Sequence, residues 1–261
     1  MNLFLLTRFA EIMNPTKAVP SSEWVASRLG MLRNLLLPSV RAQKYPFTNW
    51  YISVHEGFDL MHLEELKEII GDTGKVVIQS ARQLTYEVFH DALPHDGDGY
   101  YTLRVDSDDA ISSNFSEAVM GANILPHEVL SFSRGQILNI DTGAVARSRV
   151  PTNPFLVSWG IKGSNIFGLG PHGEIDRRAE VSFRVIETSK PMWSISVHGN
   201  NVANKFPLFY RPENIECSKV AFPHLSSLTR RIWFMRDSVA LFLFVLSSAE
   251  QGVRRLLGGP A

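Results

Sequence analysis

The sequence predicts an α/β fold: a mainly parallel sheet with helices on both faces, joined to a second half of short strands and loops. Three observations predict it. Short runs with strand character recur at residues 3–6, 50–55, 75–79 and 100–105. Helical stretches separate them, each with a start or stop signal. After about Leu125 the pattern changes to closely spaced strands and glycine-rich turns. Four alternations of strand and helix make a parallel sheet the natural solution. In such a sheet ligands gather beyond the carboxyl ends of the strands.

Each element has a local reason. Leu3 to Leu6 is a buried strand. Ser21 or Ser22 caps a helix running to about Gln43, which Pro38 should kink or divide. Trp50 to His55 is rich in aromatic and β-branched residues and forms the second strand. Asp59 caps a helix from Leu60 to Ile70, and Gly71 ends it. Lys75 to Gln79 is the third strand, Gln83 to Ala92 a helix, and Tyr100 to Val105 the fourth strand. Ser112 or Ser113 then caps a helix reaching about Ala122.

Beyond that point, Val129 to Ile140 and Ala144 to Val150 read as two strands joined through Asp141-Thr142-Gly143. Pro151 to Pro154 is a loop, and Ile161 to Asp176 is irregular. Glu180 to Glu187 and Trp193 to Val197 are strands, and the chain is helical from about Leu225 to Leu257. The expected organisation is therefore residues 1–124 as a ligand-binding α/β half, 125–224 as a β/loop region of the same domain, and 225–261 as a C-terminal helical segment.

Bulk properties exclude several classes. Lys+Arg and Asp+Glu are both 26 in 261 residues, so no basic footprint marks a nucleic-acid binder. The single cysteine, Cys217, excludes an intramolecular disulfide and a cysteine-rich metal site. No stretch reaches the roughly 18 apolar residues of a spanning helix. The longest apolar run, Ser238 to Ala249, is flanked by Arg230, Arg231, Arg236, Arg254 and Arg255. It reads as a buried helix or as a helix lying on a membrane surface. A cytoplasmic location, with that peripheral contact as the alternative, is the expectation.

The strongest chemical signal is Asp106-Ser107-Asp108-Asp109, directly after the fourth strand. Three carboxylates within four residues repel one another unless a positive charge sits among them. Mn²⁺ or Mg²⁺ would serve, because oxygen ligands suit hard cations. A solvated turn of helix-capping aspartates is the structural alternative. Arg104, two residues before, can meet phosphate. A haloacid-dehalogenase pattern fails because Ala110 stands where it needs threonine. A calcium loop fails because Ile111 stands at its glycine position.

At these residues the chain resembles the bacterial family described as putative rhamnosyl transferases. Leu6-Thr7-Arg8-Phe9 resembles that family's first strand end. Trp24, Arg28, Leu32, Leu37-Pro38-Ser39-Val40 and Gln43 resemble its first helix, and Phe47-Thr48-Asn49-Trp50 its second strand. Arg104 through Ala110 resembles its arginine-aliphatic-Asp-X-Asp-Asp-Ala motif. Coverage is good to about Ala118 and thinner through Asn153-Pro154-Phe155 and Val197-His198-Gly199-Asn200-Asn201.

The resemblance implies a GT-A-like, Rossmann-related glycosyltransferase fold, a nucleotide-sugar donor, a glycan or lipid-linked acceptor, and a divalent metal. By position, Asp106 would face the donor ribose or sugar. Asp108 would ligate the metal, and Asp109 would join it or play a structural part. Thr7 and Arg8 end the first strand where such folds hold the nucleotide. His55 and Glu56 follow the second strand. Gln79, Ser80 and Arg82 follow the third and line the same cleft. His198 would be a further metal or diphosphate ligand, with a structural histidine as the alternative, and His172 is the weaker late histidine.

An inverting enzyme also needs a carboxylate to take the acceptor's proton. Glu174 and Asp176, in a glycine-rich loop, are the candidates, with Asp141 more simply a turn residue. A retaining enzyme would need none. Trp159, Phe167 and Trp193 are aromatic surfaces able to stack on a sugar or to fill the core. Two other functions compete. A nucleotidyltransferase would carry a glycine-rich loop after its first strand, and Thr7-Arg8-Phe9-Ala10 has none. A non-catalytic, transferase-like binding module would keep the fold without needing its acids.

Overall fold

The computed structural model describes residues 1–10, 20–80, 83–97, 99–198, 213 and 215–225. Its strands are β1 (Asn2–Ala10), β2 (Asn49–His55), β3 (Lys75–Gln79), β4 (Tyr100–Arg104), β5 (Ala110–Ile111), β6 (Glu128–Phe132), β7 (Arg134–Asn139), β8 (Val145–Arg149), β9 (Val157–Gly160), β10 (Ser182–Ile186) and β11 (Trp193–Val197). Its helices are α1 (Ser22–Met31), α2 (Leu37–Arg41), α3 (Leu60–Ile70), α4 (Thr85–Ala92), α5 (Phe115–Gly121) and α6 (Ile215–Ala221). The C-terminal helix expected from about Leu225 lies outside the described residues, as do Arg82 and Gly199-Asn200-Asn201.

The main sheet has seven strands in the order β10-β6-β9-β4-β1-β2-β3. Its pairs β1–β2, β1–β4, β2–β3 and β6–β10 are parallel, and β9 runs antiparallel between β4 and β6. The α/β expectation holds: the sheet is mixed and mainly parallel. Strand alternation sorts β1 onto two faces. Leu3 and Leu5 pack with Val25 and Leu29 of α1, Leu66 and Ile69 of α3, and Phe115 of α5. Phe4 and Leu6 pack with Phe89 and Leu93 at α4 on the opposite face. Helices therefore cover both faces, and the core lies against both.

Local chemistry sets the ends. The Ser21 hydroxyl accepts from the Trp24 amide at 3.3 Å, and Asp59 accepts from the amides of Met61 and His62. Gly71 leaves α3 at φ +51, a conformation that favours glycine. Pro38 acts as a divider. Residues Leu32–Leu36 widen into a π-helical turn in which the Leu37 amide reaches back to the Leu32 carbonyl. That wider turn delivers the chain to α2 with Pro38 in its first turn, where a missing N–H does least harm.

Three expectations change. The long strand 129–140 is two strands, because the chain leaves the main sheet at Ser133. β7 joins a second sheet of order β5-β11-β7-β8. The cap of α5 is Asn114, not Ser112 or Ser113; the Ser112 hydroxyl donates to the Asn114 side chain at 2.9 Å. β9 is a strand that the sequence pattern does not mark. The β7–β8 hairpin through Gly143, at φ +66, is as expected.

Candidate functional site

The register of β1 on β4 builds the site. Leu6 pairs with Arg104, so two residues further along each strand Arg8 comes beside Asp106. Alternation decides which side chains arrive. Phe4, Leu6 and Arg8 share one face of β1; Tyr100, Thr102 and Arg104 share the same face of β4. Thr7 points to the opposite face. It is fully buried, and its hydroxyl accepts from the Trp50 indole at 2.9 Å. Arg8 therefore reaches the cluster and Thr7 supports the core.

Arg8 and Arg104 approach one oxygen of Asp106 at 3.6 and 3.7 Å. Both guanidinium groups lie over the ring of Phe167, at 5.2 and 5.0 Å from its centroid. Phe167 in turn stacks on Phe89 of α4 at 5.2 Å. A cation over an aromatic face is held without losing its donors. Burial pushes the Asp106 carboxyl upward, but Arg104, Arg8, Arg28 and His172 outweigh it and hold it below its ordinary value. Burial lowers Arg104 from its usual value, while Asp106 holds it up. Burial, then Arg104, also lowers His172, the first residue of the 3₁₀ turn His172–Arg177.

The turn after β4 is closed by the Asp109 amide donating to the Asp106 carbonyl at 3.1 Å. β11 holds it in place. The Ser196 amide donates to Asp109 Oδ1 at 2.9 Å, and the Ser196 hydroxyl donates to the Asp108 carbonyl. Asp108 is buried. Its Oδ1 pairs with Arg28 of α1, and its Oδ2 meets His198 Nε2 at 3.1 Å. Arg28 also lies over the Trp24 ring, 4.9 Å from the centroid. Burial, with Asp108 and Asp106 close by, raises the Asp109 carboxyl well above its ordinary value.

The acidic cluster is thus brought together with Arg8, Arg104, His172 and His198. Arg28, which the family-like pattern contained without a role, is its new member. No local sequence signal gives that role, since the partner lies 80 residues away. Glu174 and Asp176 are exposed on the turn that carries His172. Glu56 is exposed after β2. His55 is buried, accepts from the Gly57 amide at 3.1 Å, and is lowered by burial. The Gln79 side chain donates to the Gln83 carbonyl at 2.8 Å. Trp193 is core: it is fully buried, stacks on Phe155 at 5.5 Å, and donates to the Phe132 carbonyl. Trp159 packs on Tyr101.

A divalent cation was expected at Asp108, Asp109 and His198. Their oxygen and imidazole donors suit Mg²⁺ or Mn²⁺ by type. Their arrangement does not fit one. Arg28 and His198 engage both oxygens of Asp108, and Ser196 engages one of Asp109. No group of three or more His, Cys, Asp or Glu able to hold a metal occurs among the described residues. The positive partner of Asp108 is a guanidinium. Removing one member of a buried pair costs about 3–5 kcal/mol, because the other charge is stranded.

Among curated proteins none matches the sequence. Solved structures with a similar chain path include S. aureus TarS, at 13% identity over 76% of this chain and 37% of that one, TM-score 0.40. TarS 1–349 in complex with UDP-GlcNAc matches at 12% identity over 77% of this chain and 60% of that one, TM-score 0.41. The T. maritima inositol-1-phosphate CTP transferase matches at 12% identity over 74% of this chain and 88% of that one, TM-score 0.37. The chain thus spans well under two thirds of the length of TarS. No helix among the described residues is long and apolar enough to cross a membrane. A sequence model of the family described as "Putative rhamnosyl transferase" matches residues 7–208, from the end of β1 past β11 and across the whole acidic turn, and the chain belongs to that family.

Proposed function

We propose that the chain is a glycosyltransferase that moves a sugar from a nucleotide-sugar donor to a glycan or lipid-linked acceptor. One observation carries this reading: Arg8 and Arg104 stand side by side on Phe167, facing Asp106 at the carboxyl ends of β1 and β4. That end of an α/β sheet is where nucleotides bind. Paired guanidinium groups match phosphate oxygens in geometry and charge. An ionised carboxylate beside them accepts from ribose or sugar hydroxyls.

The chemistry follows from those groups. When the bond between the sugar's anomeric carbon and the diphosphate breaks, negative charge grows on the departing phosphate. Cations already fixed in a partly buried site stabilise that charge without reorganising. His172, lowered from its ordinary value and facing the same arginines, is neutral near pH 7 and adds a hydrogen-bonding ring rather than a fourth charge. Glu174 and Asp176 on the same turn are the carboxylates available to take the acceptor's proton if configuration inverts. Rhamnose is the sugar that the family's description names, and we propose it as the first donor to try. Arg28 and His198 already engage Asp108, and Ser196 engages Asp109, so the charge on the departing phosphate falls to the arginines in this reading.

The test is thermal unfolding with UDP, GDP, dTDP and CMP, followed by release of nucleotide from the corresponding sugar donors. A nucleotide at 100 times its dissociation constant stabilises by about 2.7 kcal/mol. At this chain length that raises the midpoint by several degrees, at roughly 2–4 °C per kcal/mol. A folded protein that shows no shift and releases no nucleotide would overturn the reading.

A further inference from the structure

We infer that Arg28, not a divalent ion, is the cation that Asp108 presents to the donor diphosphate, so that donor binding at this site needs no metal. The inference rests on the transferase reading above.

Three features carry it. The first is occupancy. Asp108 is engaged from two distant parts of the chain, by Arg28 from α1 on one oxygen and by His198 after β11 on the other. An ion could bind Asp108 only by displacing a guanidinium that is itself largely buried, with 12% of its side chain exposed. The displaced charge would have to leave a carboxylate that meets it directly, and Asp106 already faces Arg8 and Arg104.

The second feature is preorganisation. Arg28 sits one helical turn after Trp24, at the i,i+4 spacing that stacks side chains on one helix face. Its guanidinium rests on the Trp24 ring. Ser21 fixes the start of the helix that carries both residues. A cation set in this way loses little freedom when a ligand arrives.

The third feature is spare donor capacity. The Nε–H groups of Arg28 and Arg104 are both buried and have no hydrogen-bond partner. Arg104 is 6% exposed. Buried donors are normally satisfied. Two unsatisfied guanidinium donors flanking one acidic turn point to an anionic ligand as the missing acceptor. A nucleoside diphosphate supplies acceptor oxygens on adjacent phosphates, and Arg8 adds a further guanidinium beside Arg104. On this view Asp108 is a positioning residue: it aims Arg28 and His198 and does not itself touch the ligand.

Calorimetric titration of the full chain with UDP, GDP and dTDP, each in EDTA and in Mn²⁺, tests this. The expected result is that the nucleotide which binds does so with the same affinity in both buffers. Arg28→Ala should weaken it by about tenfold or more, as loss of a charged hydrogen bond does, and Arg28→Lys should recover part. Binding that appears only in Mn²⁺ would overturn the inference and leave the transferase reading standing. Binding equal in both buffers but unchanged in Arg28→Ala would also overturn it. Absence of binding to any nucleotide in either buffer would overturn both. The comparison of buffers needs no variant, so it decides the metal question even if Arg28→Ala fails to fold, and Arg28→Lys, which keeps the charge paired with Asp108, then tests the guanidinium: affinity unchanged in it would overturn the inference.

Discussion

The Ser196 amide donates a hydrogen bond to Asp109 Oδ1 at 2.9 Å, tying a strand near the end of the described chain to the turn that ends β4. That bond fixes a carboxyl which burial, Asp108 and Asp106 all push upward. The folded state therefore holds this proton more tightly than the unfolded chain does. As pH rises above the ordinary value of 3.8, the unfolded state ionises first. Asp109 thus contributes stability at low pH that is lost as pH rises through its folded value. We expect Asp109→Asn, which keeps an acceptor for Ser196, to raise the urea midpoint at neutral pH and to flatten this loss. An unchanged midpoint would show that Arg28 already cancels the repulsion.

Thr7 and Arg8 are neighbours with opposite duties. Thr7→Val should leave the buried Trp50 indole without its acceptor and destabilise by about 1–3 kcal/mol. It should leave nucleotide affinity as it was. Arg8→Gln should do the reverse. Urea unfolding and calorimetry on the two variants separate the faces of β1.

Gly135 lies against the flat of Trp193. A Cβ there would sit 2.0 Å from the indole. Gly135→Ala should destabilise by at least about 1–3 kcal/mol, the usual toll of overpacking. Because β7 and β11 pair directly, the strand that carries Ser196 should shift with it. Near-ultraviolet circular dichroism of the tryptophans reads the displacement.

His224 is largely buried beside Phe222, and burial lowers it to about 4. The unfolded chain takes up its proton near 6.5 and the folded chain does not, so stability present above that value falls as pH drops toward 4. The loss reaches at most about 3.5 kcal/mol, taking roughly 1.4 kcal/mol per pH unit. His224→Phe should remove this share of the slope between pH 6.5 and 4 in urea titrations, leaving that of His55 and His172.

Much of this was legible in the chain. β2, β3 and β11 follow from runs of β-branched and aromatic residues, and α3 from its aspartate and glycine ends. β9 was not, because Val157–Gly160 is four residues long, and its place is set by the open edges of β4 and β6 rather than by its own composition. The division of 129–140 at Ser133 has no local mark either: no proline or tight-turn pair stands there, and only the second sheet requires the change of direction. At the site the acidic turn was visible, since three carboxylates within four residues repel one another. The choice between Thr7 and Arg8 needed the face of β1, which sequence alone leaves open. Arg28 needed the packing of α1 across the turn, a contact no local pattern encodes.

The antiparallel placement of β9 has a genetic consequence. A coding sequence that stops after residue 124 would still specify β1 to β4, α1, α3 and α4. It would leave the ladder groups along one side of β4 bare, because the strand that caps them is made more than thirty residues later. An uncovered inner strand is a template for pairing with copies of itself. Such a fragment should come out of the ribosome as aggregate rather than as a small working half.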